Sequence, residues 1–131
     1  MIRFLAENID YKVYSIYESV YLKTKKSSKN LDNFEESDTL IGVHYGEPNN
    51  AIILNSNNHI VVSGCGLSIY EISTKDEKHI LSEPDNITWT NVVYQDELDN
   101  LQLEFRFVSF NKVNDLRVFK MNLKTQKIIE L

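Results

Sequence analysis

Beyond residue 38 the apolar and polar residues alternate with a period of two almost everywhere, the spacing of strands that bury one face. Thr39 to Tyr45, Ala51 to Asn55, His59 to Ser63, Leu67 to Ser73, Ile87 to Gln95, Leu101 to Phe110, Leu116 to Leu123 and Lys127 to Leu131 all read as strands, rich in Ile, Val, Tyr and Phe. Between them lie Gly46-Glu47-Pro48-Asn49-Asn50, Asn55-Ser56-Asn57-Asn58, Thr74-Lys75-Asp76-Glu77 and similar clusters, which supply residues that tolerate tight or left-handed backbone. Short loops of this kind imply antiparallel neighbours.

Two segments repeat. LSIYEISTKDEKHIL at residues 67–81 returns forty-nine positions later as LRVFKMNLKTQKIIEL at 116–131, with Leu67, Tyr70, Ile72, Lys75 and Ile80 matched by Leu116, Phe119, Met121, Lys124 and Ile129. Each copy reads as a strand, a turn and a strand, and each follows further strands. The unit is thus a β-meander of three or four strands and roughly 45–50 residues, a length that resembles one blade of a β-propeller. Propellers close with about four to eight blades, so a 131-residue chain is too short for closure. The expected fold is mostly β, with two antiparallel meanders (39–82 and 83–131) in one domain, either packed as a sandwich or forming an open half-propeller.

Residues 1–38 fit this frame less well. Tyr14, Ile16, Val20 and Leu22 alternate as a strand would, whereas Val13, Ile16, Tyr17, Val20 and Tyr21 trace a helical stripe. Three β-branched residues and four tyrosines favour strand. The stretch KTKKSSKNLDNFEESD at 23–38 turns from basic to acidic halfway along and reads as a long loop or mobile connection.

Composition narrows the setting. The opening MIRFLAENIDYK has no apolar stretch behind a basic end, so no secretory signal is expected. No apolar run approaches the roughly 20 residues of a spanning helix. One cysteine, Cys65, excludes an internal disulfide. A cytoplasmic protein is expected. The net charge of −5 conceals a gradient: residues 1–31 carry +3, residues 32–104 carry −12 and residues 105–131 carry +4. An acidic centre disfavours nucleic-acid phosphates and favours a cationic partner.

No catalytic, cofactor or metal motif stands out. Cys65 lies between Gly64 and Gly66, where a hairpin turn or bulge is the simpler reading, although His59 or His79 would be the bases for a nucleophilic thiol. His44, His59 and His79 are fifteen and twenty residues apart and lack helical ligand spacing. The sole tryptophan, Trp89, has two readings. Strand alternation groups it with Ile87, Asn91 and Val93, which suits a core position. Its neighbour Tyr94 and the flanking acids Glu83, Asp85, Asp96, Glu97 and Asp99 instead suit a partner-binding surface with an aromatic anchor and an acidic surround.

A small, acidic, single-domain, mostly β chain of this kind resembles the immunity proteins of bacterial contact-dependent growth inhibition systems. The resemblance rests on size, charge and architecture. It implies a non-catalytic cytoplasmic protein, monomeric or weakly dimeric, that covers the active site of one cognate toxin domain, commonly a basic nuclease. The alternatives are a propeller-like adaptor or small-ligand module with its pocket between the meanders, and an enzyme using Cys65 or the histidines.

Overall fold

The computed structural model describes residues 1–83, 86–110 and 116–131, and strands account for most of them. Three antiparallel sheets of four strands follow one another along the chain, none closed into a barrel. The first holds β1 (Ile2–Glu7), β2 (Tyr11–Ile16), β3 (Ser19–Thr24) and β4 (Thr39–Val43), paired in sequence order. The second holds β5 (Asn50–Ile53), β6 (His59–Gly64), β7 (Gly66–Glu71) and β8 (Asp76–Ile80). A short pair, β9 (Ser82–Glu83) and β10 (Asn86–Ile87), leads to the third, of β11 (Trp89–Tyr94), β12 (Glu104–Phe110), β13 (Leu116–Asn122) and β14 (Ile128–Glu130).

The meanders therefore number three, and their boundaries move. Thr39 to Val43 completes the first sheet, where it pairs with β3, and the second meander begins at Asn50. The N-terminal segment is not one strand but three, with a single 3-10 turn at Lys25–Ser27 and no α-helix among the described residues. The reason is a hairpin closed by Ile16-Tyr17-Glu18-Ser19, where Tyr17 takes a left-handed φ of 54° without any glycine, asparagine or proline to announce it. The turn sends β3 back alongside β2. Tyr14 pairs with Tyr21 on one face, whereas Val13 pairs with Leu22 on the other.

The repeated hairpins occupy the same place in their sheets, as β7–β8 and β13–β14. Tyr70 and Ile72 pack toward the first sheet, and their counterparts Phe119 and Met121 pack toward the second. Both copies thus turn the same face to the preceding sheet. The second copy runs two residues further before it turns: the bond Lys75 N–H to Glu71 O closes the first, and Gln126 N–H to Asn122 O closes the second.

The sheets stack in series. Val13, Val20, Leu22 and Ile41 of the first meet Ala51, Ile60, Val62 and Tyr70 of the second. Leu54, Val61, Leu67 and Ile69 of the second meet Val93, Phe105, Phe107 and Met121 of the third. The second sheet is covered on both faces, which is why Ile60-Val61-Val62 is apolar without alternation. The initial strands β1, β5 and β11 lie beside one another in turn, as the inner strands of propeller blades do.

The free face of the first sheet carries Lys12, Tyr14, Tyr21 and Lys23, and the loop at residues 25–38 folds over it. Phe34 meets the Tyr21 ring edge-on at 5.3 Å. Lys23 is fully buried and bridges Glu35 at 2.8 Å and Asp38 at 2.9 Å. Burial works against the ammonium charge, but the two carboxylates outweigh it and raise the Lys23 pKa. The Tyr14 hydroxyl donates to Asp38 as well. The polar loop is thus a lid pinned by a buried charge cluster.

Candidate functional site

The outer face of the third sheet has no such lid among the described residues. Its make-up follows from strand register, because residues directly opposite each other in a sheet share a face. Trp89 pairs with Phe110, and Phe110 with Leu116. Val92 pairs with Val108, and Val108 with Val118. Tyr94 pairs with Arg106, Arg106 with Lys120, and Lys120 with Ile129. The three rows form one surface. Trp89 is 40% exposed, Val92 40%, Leu116 65% and Ile129 49%.

A β-bulge creates this grouping. Pairing slips between Thr90 and Val92, so Asn91 has no partner and the alternation resets. Simple alternation would put Trp89 with Val93 and set Val92 and Tyr94 against it. In the folded chain Trp89, Val92 and Tyr94 share the outer face, while Thr90 and Val93 point into the core. The Thr90 hydroxyl donates to Gly66 O at 2.7 Å and accepts from Gly64 N–H at 2.9 Å, which ties β11 to the β6–β7 turn. Trp89 is therefore a half-exposed surface residue, and the core reading for it fails.

One end of the face is bounded by the loop after β11. Asp99 does not belong to its solvated rim. Its side chain is fully buried and receives a fork from Arg106, with Nε at 3.0 Å and Nη2 at 3.0 Å. Burial opposes the Asp99 charge, but the Arg106 guanidinium and the Asp96 N–H prevail and hold its carboxyl below the usual range. The Asp99 carboxylate thus closes the loop and neutralises Arg106. Lys120 is likewise offset by Glu104 at 3.8 Å. Asp96, 3.9 Å from Arg106 yet partly exposed, and Glu97 are the accessible acids of this rim. Asp85 and the side chain of Glu83 lie outside the described residues.

The acidic centre is not one surface. Asp32, Glu35 and Asp38 are engaged by Lys12 and Lys23 in the lid, and Asp99 and Glu104 by the third sheet's own bases. Asp76 and Glu77 are exposed on β8 of the second sheet.

The reactive candidates take other positions. Cys65 is 6% exposed, and burial pushes its thiol pKa up, the opposite of what activates a nucleophile. His59 lies against Glu71 at 3.3 Å. His44, unremarkable in the sequence, is 3% exposed and meets His79 edge-on with ring centroids 5.2 Å apart. A groove of about 150 Å³ between the second and third sheets is lined by His59, Glu71, Lys78, Ile69 and Met121 among others. Small-molecule sites usually run to about 300–1,000 Å³, so it has room only for a small ligand.

Comparison with protein families, with curated proteins and with solved structures finds no match to this chain.

Proposed function

We propose that this chain is a non-catalytic binding protein whose partner docks on the outer face of the third sheet, and that the partner is a toxin domain it neutralises, as in contact-dependent growth inhibition. One observation carries the reading: Trp89, Val92, Phe110, Leu116 and Ile129 form a contiguous apolar face, with nothing packed over it among the described residues. Monomeric proteins rarely leave such a patch bare without an interaction to serve. Its anatomy is that of an interface, with aromatic and aliphatic residues at the centre and charge at the edge.

Charge indicates the partner. The face itself is balanced by its own ion pairs, so the net −5 of the chain and the accessible Asp96 and Glu97 act at longer range. A nuclease domain needs a cationic groove for phosphates, and an acidic rim would steer that groove toward the apolar centre. The cytosol is the compartment in which such a protein would act.

The test is co-expression of the tag-free protein with the product of the gene adjacent to its own. The reading expects growth rescue and a co-purifying complex, both lost in Trp89→Ala with Leu116→Glu. Rescue that survives this double substitution would remove the face from the proposal, and failure of the native protein to rescue would remove the toxin. A dimer in solution that the same substitutions abolish would reassign the face to self-association.

A further inference from the structure

The first and second sheets meet at a second place of chemical interest. Strand β4 crosses β7 and β8 so closely that a Cβ on Gly42 would lie 2.8 Å from the Ser68 hydroxyl and 3.9 Å from Glu77 Oε1. Two residues later His44 enters the same seam, its backbone N–H held by Glu18 O at 2.9 Å. Ser68 and His79 are directly paired across β7 and β8, so they share the face that His44 meets. The imidazoles of His44 and His79 lie 5.2 Å apart at 85°.

What stands out is the absence of hydrogen bonds. Both ring nitrogens of His44 are buried and have no hydrogen-bond partner among the described residues, and the Ser68 hydroxyl beside them has none there either. A neutral imidazole offers one donor and one acceptor, and leaving both unmet in the interior costs free energy that folded proteins generally avoid. The Nδ1 end abuts Gly64, where a Cβ would meet it at 3.3 Å, so that side is walled by backbone. Nε2 is the nitrogen left to meet a ligand.

We propose that His44 and His79 form a two-histidine site for a borderline divalent transition ion such as Zn²⁺. The spacing suits it. With metal–nitrogen bonds of about 2.0–2.1 Å, each ring centroid sits roughly 3.2 Å from the ion, and a tetrahedral angle then separates the centroids by about 5 Å. Burial of His44 disfavours the charged imidazolium, and the neutral ring is the form that binds a metal. Among the described residues no third His, Cys, Asp or Glu converges with this pair. Water would complete the coordination, with the Ser68 hydroxyl paired opposite His79 and Glu77 two residues along β8. An exposed His79 gives the ion its entry.

The measurement is isothermal titration of tag-free protein with ZnCl₂ at pH 7, with MgCl₂ as the hard-cation control, alongside melting curves. The native protein should bind one equivalent of zinc and melt at higher temperature with it, and magnesium should do neither. His79→Ala, at an exposed position, should fold as the native protein does and bind zinc at least tenfold more weakly. His59→Ala, at the separate Glu71 contact, should retain the response. Equal zinc binding by the native protein and His79→Ala, or none by the native protein, would overturn the proposal.

Discussion

Among single residues, His44 ties stability to pH. Its pKa in the fold is about 4, against about 6.5 for a free imidazole, so between these values the unfolded chain binds a proton that the folded chain refuses. Stability should therefore be intact above about pH 6.5 and decline as pH falls toward 4, by up to about 3 kcal/mol. His79, Glu77 and Glu18 are the titratable groups around the seam. The held-down carboxylates belong to a more acidic window, since Lys23 pulls Glu35 to about 2 and Arg106 keeps Asp99 low. Urea midpoints at pH 7 and pH 4.5 check the assignment. The native protein should lose stability between them, and His44→Leu should lose distinctly less. This residue was not legible in the sequence, because His44 acquires its character only when β4 is laid across β8. Trp89 and Tyr94 were legible as neighbours on one strand, but their common outer face was not, because it depends on the bulge at Asn91. Asp99 departs from its acidic, loop-like setting because its partner, Arg106, lies seven residues away across a turn.

At the scale of elements, the period-two pattern located most strands after residue 38 to within a few residues, since one-sided burial writes itself directly into alternation, but β8, exposed along most of its length, showed only through the repeat, and β9 fell in an expected turn. It failed where a turn lacked turn chemistry. Tyr17 closes the β2–β3 hairpin with a left-handed backbone, and the two strands that flank it read as one. It failed again at the β11 bulge, where one unpaired residue reverses the sides of the residues before it. The glycines of Gly64-Cys65-Gly66 spell a tight hairpin, and that is what they form. Gly66 has φ +71°, and a Cβ there would lie 2.4 Å from Ile80 O. Gly46 has φ +78° and open space around it. Gly66→Ala should consequently destabilise by several kcal/mol through combined strain and clash, whereas Gly46→Ala should cost only about 1 kcal/mol for its backbone conformation. Denaturant melts of the two variants give the comparison. Equal costs would mean that β7 stands further from the chain after β8 than these contacts require.

At the scale of the whole molecule, the three sheets form a stack with unlike ends. The first sheet carries its own lid, in which Lys23, Glu35 and Asp38 turn an otherwise exposed aromatic face into a closed one. The third sheet carries none among the described residues. If its outer face exists for a partner and not for the fold, Val92→Thr, Leu116→Gln and Ile129→Lys together should leave the unfolding free energy from urea melts within about 1 kcal/mol of native while raising solubility. A large loss of stability would show that the face packs against the chain itself. The number of sheets was not legible for a related reason: lid and first sheet share a segment whose charges and tyrosines disguise a buried surface as a polar loop. The middle sheet inherits the opposite problem. Residues 60–70, Ile-Val-Val-Ser-Gly-Cys-Gly-Leu-Ser-Ile-Tyr, hold no charge and are buried on both sides by their neighbours. Were the third sheet to peel away, Val61, Leu67 and Ile69 would face water on a sheet without gatekeeping charges, the composition that seeds cross-β assembly. Detachment of the last layer, short of global unfolding, would then be the event that exposes this segment at high concentration.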